Sequence, residues 1–275
     1  QYTLTLVNGK RRHRSALLSP GSGNQGPDVA TIPSVAIGSI EVLRDGASSQ
    51  YGSDAIAGVI NFNLRQNDEG VTFTYDTGQQ YEGDGFQSTA QINAGFPLGD
   101  DGFVSLSAEY SDVEPTSRGL QYCGGTNPCI DVNRPEFDPT SVVGARALEP
   151  DFQAALPLVE VEGGVVQPWG QPNNEAFRVF LNTGYNVTDE VEFYGFANFS
   201  ESLGDGPFNY RHPGVTNVRR ARRLADGSIW SVVDNQGQGP SFVAGYTPRF
   251  EGRVSDYSAT GGLRDGCTVE RTVLV

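Results

Sequence analysis

A regular alternation of apolar and polar residues begins at residue 71 and constrains the fold more than any other feature of the sequence. In residues 86–96 the larger apolar side chains fall on even positions and the polar ones mostly on odd positions. The same two-residue period returns in later segments and more weakly near the end of the chain. Because successive side chains of a strand point to opposite faces, this period predicts six β-strands, at residues 71–76, 86–96, 103–111, 177–187, 191–200 and 256–264.

The connections between these strands sort by length. Residues 97–102 and 188–190 are tight turns, whereas residues 114–176 and 201–255 are long, with residues 81–85 as the short exception. Strands of about ten residues with short turns at one end and long loops at the other are typical of an outer-membrane β-barrel. One face would meet lipid, the other the lumen, with aromatic side chains near the interfaces. A soluble β-sandwich also alternates and stays open as the second interpretation.

Composition narrows the classes of partner. The chain has 33 acidic and 19 basic residues and a formal net charge of −14, which argues against a nucleic-acid partner. Its 35 glycines among 275 residues favour a turn-rich β protein. The sequence begins at Gln1 and contains no methionine, so we expect it to be a mature, trimmed or internal segment.

Three cysteines occur in the chain. Cys123 and Cys129 enclose a short Gly- and Pro-containing loop that a disulfide can close, and two free thiols are the alternative. A zinc site is not expected, because no second Cys/His pair has the spacing of zinc ligands. Cys267 has no explanation in the sequence.

The sequence offers no catalytic constellation. The glycine pattern at residues 21–26 follows Ser-Pro and opens no predicted helix, so a dinucleotide site is rejected. His13 and His212 are the only histidines and lie far apart in sequence. No carboxylate pair stands out as acid and base. We therefore expect no enzymatic activity, no cofactor and no resident metal.

Two basic clusters interrupt the acidic background, at residues 10–14 and 219–223. Each is interpreted either as ordinary surface that pairs with the excess carboxylates or as the lining of an anion site. For residues 219–223 we favour the interpretation as ordinary surface. For residues 10–14 both interpretations stay open.

The most specific segment is residues 40–62, Ile-Glu-Val-Leu-Arg-Asp-Gly-Ala-Ser-Ser-Gln-Tyr-Gly-Ser-Asp-Ala-Ile-Ala-Gly-Val-Ile-Asn-Phe. It closely resembles the plug domain of TonB-dependent outer-membrane receptors. Residues 53–58 also predict one helical turn, with Ser53 as the N-cap and Gly58 as the stop. The residues that carry the resemblance are Asp45, Gly46, Tyr51, Gly52, Asp54 and Gly58.

The resemblance implies a fold class and a division of the chain. The fold is expected to be mainly β, with a partial α+β plug followed by an incomplete antiparallel transmembrane β-barrel of about six strands. Residues 1–66 would be the C-terminal part of the plug domain. Residues 67–275 would be the N-terminal part of the barrel, with long extracellular loops at about 114–176 and 201–255. The odd composition after residue 264 is interpreted as a truncation or a frame error.

The resemblance also implies a function and a place in the cell. Such receptors lie in the bacterial outer membrane, contact its lipid and bind a scarce extracellular solute, typically an iron-siderophore complex, cobalamin or an oligosaccharide. TonB delivers the energy through a segment that we expect to precede these residues. A passive porin and a soluble β-rich ligand-binding module are the alternatives, and porins lack the plug segment.

Site residues follow from the same resemblance. The apical loop of the plug, about residues 14–28, would present Arg14, Ser22, Asn24 and Gln25 to the ligand. Glu41 and Arg44 would help to lock the plug to the barrel wall, and a salt bridge within the plug is the alternative. The Cys123–Cys129 disulfide would stiffen an outer loop. Aromatic contacts for sugars or aryl groups would come from Tyr122, Trp169 and Trp230.

Overall fold

The protein is described by a computed structural model, which covers residues 3–16, 25–44, 48–123, 129–212, 222–223, 229–230 and 244–265. Within these ranges the chain forms a small N-terminal sheet, a long six-stranded sheet and a two-stranded ribbon. The predicted class, mainly β with a small α+β unit followed by antiparallel strands, is confirmed.

The N-terminal unit is built on a four-stranded sheet in the order β2-β1-β4-β3. β1 and β4 are parallel, and the other two pairs are antiparallel. Asn8 and Gly9 join β1 to β2 and both have positive φ, as an Asn-Gly hairpin turn requires. The strands are β1 (Thr3–Val7), β2 (Lys10–Arg11), β3 (Ile37–Arg44) and β4 (Gly58–Leu64).

Short helices connect these strands: α1 at Ser48–Tyr51 and 3₁₀ turns at Val29–Thr31, Ser34–Ala36 and Ser53–Ala55. A helical turn is present within residues 53–58, but the predicted N-cap and the predicted stop are wrong. Gly52, with φ 84°, occupies the N-cap, and Gly58 begins β4. Gly58 has φ 136°, and a Cβ there would lie 2.5 Å from the carbonyl oxygen of Leu43, so only glycine fits.

The long sheet contains the six predicted strands in the order β12-β9-β8-β7-β6-β5, all paired antiparallel. Several strands extend further toward the long connections than the alternation indicated, so those connections are residues 114–172 and 208–248. A ribbon of β10 (Arg222–Arg223) and β11 (Ile229–Trp230) lies in the second of them. The strands of the long sheet are β5 (Val71–Gly78), β6 (Gln87–Pro97), β7 (Gly102–Val113), β8 (Asn173–Thr188), β9 (Val191–Pro207) and β12 (Arg249–Asp265).

The long sheet is inverted relative to that of a water-soluble protein. Its outer face carries exposed aromatic and aliphatic side chains such as Phe73, Leu263 and Tyr257, of which 78% is exposed. Its inner face buries polar side chains, among them Asn93, which is fully covered, and Ser105. A β-sandwich buries its apolar face between two sheets, so that interpretation does not fit this sheet. No helix in the described ranges is long and apolar enough to cross a membrane.

The two long connections fold together instead of forming separate loops. The first contains α2 (Val142–Ala147) and α3 (Pro150–Val159), which the alternation did not predict. Tyr210 and Ala244, at either end of the second connection, complete the same core. We name this unit the loop module; its buried residues are Ile130, Val143, Ala147, Phe152, Ala155, Val159, Val166, Tyr210 and Ala244.

An exposed ion pair ties the first connection of the sheet to the loop module. Arg118 donates to both carboxylate oxygens of Asp84, and this hydrogen bonding is the main cause that lowers the pKa of Asp84 to about 2. Because the pKa of Asp84 is lowered in the folded protein, the contact contributes stability above the ordinary pKa of 3.8, and this contribution is lost as the pH falls through about 2.

We expect Arg118→Met to return the pKa of Asp84 to near its ordinary value, measured by a carboxyl titration in NMR spectra.

The core of the loop module predicts a local stability effect. Phe152 is fully buried on α3, whereas Leu158 on the same helix is exposed. Phe152→Ala is expected to lower the local free energy of unfolding by about 3–5 kcal/mol, and Leu158→Ala to change it by less than about 0.5 kcal/mol. Hydrogen exchange of amides 142–159 measures both. Equal exchange in the two variants would show that this core does not hold the module together.

Candidate functional site

The N-terminal unit packs against the inner face of the long sheet through a small apolar cluster. Phe180 and Phe196, on β8 and β9, are buried aromatic residues on a largely polar inner face. They meet four buried side chains of the N-terminal unit: Val7, Ile32, Ala36 and Leu64. Because these contacts join segments more than a hundred residues apart, they fix the N-terminal unit on the sheet.

Hydrogen bonds donated by amide side chains also join the N-terminal unit to the long sheet. Asn8 Nδ2 donates to Asn182 Oδ1 at 3.1 Å, and Asn182 Nδ2 donates to the carbonyl oxygen of Arg65 at 3.0 Å. Gln91 Nε2 donates to Ser34 Oγ at 2.7 Å. The polar inner face of the sheet thus finds its partners on the N-terminal unit, as buried polar groups require.

Arg12 forms the strongest contact between the two parts. Its side chain and that of Asp256, on β12, are each only 3% exposed and form an ion pair. Arg12 Nη1 also donates to Asn198 Oδ1 at 2.7 Å and to Ser258 Oγ at 3.0 Å, and Nη2 donates to Thr31 Oγ1 at 3.2 Å. One arginine therefore joins the N-terminal unit to both β9 and β12.

Asp256 is held from several sides. It accepts from Arg12, from Asn198 Nδ2 at 3.3 Å, and it pairs with His13 Nε2 through its other oxygen. The guanidinium carbon of Arg12 lies 5.8 Å from the centroid of the Phe180 ring, within cation–π range. We name Arg12, His13, Thr31, Asn198, Asp256 and Ser258 the Arg12 cluster.

Burial and pairing act against each other at Arg12. Burial is the largest effect and lowers the pKa of the guanidinium, whereas the charges of Asp256 and Asp28 raise it. An arginine keeps its proton in proteins, so the charge stays and needs compensation from the carboxylate. Within the described residues Arg12 Nε has no hydrogen-bond partner, so the site holds a buried charge that is almost fully satisfied.

Glu41 and Arg44 occupy different surroundings from the Arg12 cluster. Both lie exposed on β3, and Glu41 Oε2 accepts from Asn61 Nδ2 at 2.9 Å within the N-terminal unit. In the described ranges Arg44 forms no ion pair, so the structure brings neither residue to the long sheet.

The described residues of the plug-like motif contact other residues of the N-terminal unit or form its turns. Tyr51 packs beside a core of Leu4, Leu6, Ala55 and Val59. Asp54 forms an exposed ion pair with Arg11. Gly52 and Gly58 take the positive φ angles described above, and Asp45 and Gly46 lie outside the described residues.

The residues predicted for the apical loop are only partly described. Arg14 is exposed beside Arg12 and His13 in a small cavity of about 130 Å³. Gln25 Nε2 donates to the carbonyl oxygen of Ala16 at 3.0 Å, which ties the loop to itself. Ser22 and Asn24 lie outside the described residues.

The predicted disulfide and the predicted aromatic contacts described here lie in the connection between β7 and β8. Cys123 and Cys129 are joined by a disulfide. Tyr122 packs edge-on against Tyr210 at 5.1 Å between ring centroids, and burial raises the pKa of both phenols. Trp169 is exposed. In the described part of the chain, no group of three or more His, Cys, Asp and Glu side chains is placed to hold a metal ion.

Sequence reasoning missed Asp256 as the partner of Arg12. Asp256 is an acidic residue at an inward position of a predicted strand, and Arg12 lies in a basic cluster, but neither pattern indicates that the two meet. The arginines of residues 10–14 do not share one environment in the structure. Arg12 is buried, whereas Arg11 and Arg14 are exposed.

Comparison with known proteins identifies the N-terminal unit. Residues 1–59 match the family model described as the TonB-dependent receptor plug domain. The match covers this segment, which is less than half of the chain. The resemblance is confirmed, and the N-terminal unit is called the plug and the long sheet the wall from here on.

Known relatives cover small parts of the chain. The iron-regulated outer membrane virulence protein of Vibrio cholerae serotype O1 is 45% identical over 69 residues, which are 25% of this chain and 10% of that protein. The chain therefore matches about a tenth of the length of this curated relative.

Two solved structures share features of the arrangement. The ferric enterobactin receptor PfeA of Pseudomonas aeruginosa is 16% identical, with a TM-score of 0.49 over 94% of this chain and 30% of that one. The siderophore receptor PirA of Pseudomonas aeruginosa is also 16% identical, with a TM-score of 0.39 over 74% and 28%.

The Arg12 cluster predicts how the plug is anchored. Asp256→Asn leaves Arg12 charged and unpaired in a buried site, so we expect it to weaken plug docking by about 3–5 kcal/mol. The matched control is Arg11→Ala, which breaks a pair whose side chains are 53% and 39% exposed; exposed pairs contribute less than about 1 kcal/mol. Hydrogen exchange of β1 amides measures both.

A double substitution separates the ion pair from simple packing. Arg12→Met with Asp256→Leu removes both charges and keeps apolar volume, so β1 protection is expected to recover most of what Asp256→Asn loses. If the double variant exchanges as fast as the single one, the loss comes from packing and not from an uncompensated charge.

Proposed function

We propose that this chain is part of a TonB-dependent receptor of the bacterial outer membrane, which binds a scarce extracellular solute and imports it with energy delivered by TonB. The observation that supports this most is the plug family segment docked through a buried ion pair on the polar face of an inverted sheet. A passive pore has no use for such a plug, because the plug fills the space through which solutes would diffuse.

The exposed apolar face of the wall is proposed to meet membrane lipid. In an outer-membrane barrel the outward face is apolar and the inward face polar, as it is in this sheet. The tight turns after β6 and β8 would face the periplasm, and the loop module would face the outside. The partners are then lipid, the solute, and TonB through a segment preceding the plug.

Two solute classes have specific support. The Vibrio cholerae relative is named as iron-regulated, which supports an iron-siderophore complex. Its 69 matched residues cover only a quarter of this chain, whereas specificity in this architecture would come from the long loops. An uncharged pocket beside the exposed indole of Trp169 supports an oligosaccharide, and cobalamin is a third class.

We also propose that the solute passes without covalent chemistry, so that the protein is not an enzyme. The polar inner face presents amides, a hydroxyl and a paired carboxylate to the plug. These groups hold the plug, and binding and release are the only steps they need to serve.

Uptake by cells that produce the whole receptor tests this proposal. We expect the protein in the outer-membrane fraction, extracted only with detergent, and solute accumulation that stops when tonB is deleted or the proton gradient is collapsed. Accumulation that continues without TonB would support a passive pore. Recovery in the soluble fraction without detergent would support the ligand-binding module.

A further inference from the structure

A pocket of about 290 Å³ lies where the loop module meets the wall. Its walls come from three segments: the start of the connection after β7, the residues before β8, and the end of β9 with the residues that follow. We name it the Trp169 pocket; it is lined by Pro115, Thr116, Gln167, Pro168, Trp169, Gly170, Gln171, Pro172, Gly206, Pro207, Phe208 and Asn209.

The backbone around this pocket is held in place. Thr116 N donates to the carbonyl oxygen of Gln171 at 3.0 Å, and Arg118 N donates to that of Trp169 at 2.8 Å. Gln171 N donates back to Thr116 Oγ1 at 2.9 Å. A Cβ at Gly170 would lie 2.0 Å from the carbonyl oxygen of Thr116, so the two segments approach as closely as only glycine permits. The pocket is therefore preorganised, which lowers the entropy cost of binding.

Trp169 supplies an open aromatic surface. The residue is 64% exposed although its backbone is fixed on both sides. Phe208 also lines the pocket, but its ring is engaged by Phe250, edge-on at 4.8 Å, and by the guanidinium of Arg211 at 5.6 Å. The indole of Trp169 is thus the platform available for stacking, and exposing so large a ring to water has a cost that a bound ligand would remove.

The remaining lining is polar and uncharged. None of the described residues that line the pocket carries a charge. Gln171 and Asn209 are exposed amides, and Gln167 is fixed because its Oε1 accepts from the backbone N–H of Tyr210 at 2.8 Å. Each amide side chain offers both donors and an acceptor, which matches a hydroxyl group, itself a donor and an acceptor.

We propose that the Trp169 pocket binds one ring of a neutral oligosaccharide, which stacks on the indole and hydrogen-bonds to the surrounding amides. The inference rests on the proposed import function and names its solute class. A volume near the lower end of the roughly 300–1,000 Å³ typical of small-molecule sites suits one sugar ring, with the chain extending outward. An anionic iron chelate would find no cation among the lining residues, and the nearby guanidinium of Arg211 is already stacked on Phe208.

Equilibrium binding to the whole purified receptor in detergent tests the proposal. The probes are maltohexaose, cellohexaose and xylohexaose, with ferric enterobactin and 2,3-dihydroxybenzoate as the anionic alternatives. We expect one of the hexasaccharides to bind, and Trp169→Ala to weaken it by roughly tenfold or more, the loss expected when an aromatic stacking platform is removed. Trp169→Phe is expected to keep part of the affinity, because a smaller ring still offers a flat apolar face.

The matched control is Tyr81→Ala, which removes a fully exposed aromatic side chain from the other described outer connection. It should leave hexasaccharide binding unchanged. Equal losses in Tyr81→Ala and Trp169→Ala would overturn the assignment of the pocket, as would binding of an anionic probe that depends on Trp169. If TonB-dependent uptake persists while no hexasaccharide binds, the pocket proposal fails and the import function stands. If a hexasaccharide binds through Trp169 but its uptake needs no TonB, the import function fails and the pocket stands.

Discussion

The buried charge of Arg12 is the constraint on which the rest of the structure depends. A guanidinium removed from water needs a carboxylate and several acceptors, and these come from β9 and β12 of the wall and from the 3₁₀ turn at Val29–Thr31. The plug can meet these needs in only one orientation. A charge that would destabilise an isolated domain thereby specifies how two parts of the chain fit together.

The same logic explains the inverted wall. Amide and hydroxyl side chains such as Asn93, Asn182 and Ser105 are buried because the plug and neighbouring strands supply their hydrogen bonds. Phe180 and Phe196 are buried aromatic residues on this largely polar face, and they lie where the plug presents its own apolar residues. The apolar side chains on the outward face are exposed in the described chain. This face is therefore suited to an apolar environment outside the chain.

Period-two alternation made the wall predictable from sequence, because every one of its strands separates two environments. All six strands were found, and the plug segment was recognisable from its glycines and the short run around Tyr51. The Arg12–Asp256 pair was not predictable, since 244 positions separate the partners and local patterns carry no information on which strand will face residue 12. The helices α2 and α3 were missed for a related reason: their apolar residues pack on Tyr210 and Ala244 from another connection.

The distribution of contacts also bears on how a plug held this firmly can rearrange. The plug–wall hydrogen bonds of Asn182 and Gln91 join neutral groups, each contributing about 0.5–1.5 kcal/mol, and water can replace them as the interface opens. The Arg12–Asp256 pair differs, because separating it in a dry site leaves two bare charges, whereas separating it after water has entered costs far less. The side chain of His13 is 41% exposed and borders the buried carboxylate of Asp256, so this is the side of the Arg12 cluster that is open to water. Water that entered here would lower the cost of separating the two charges before they part.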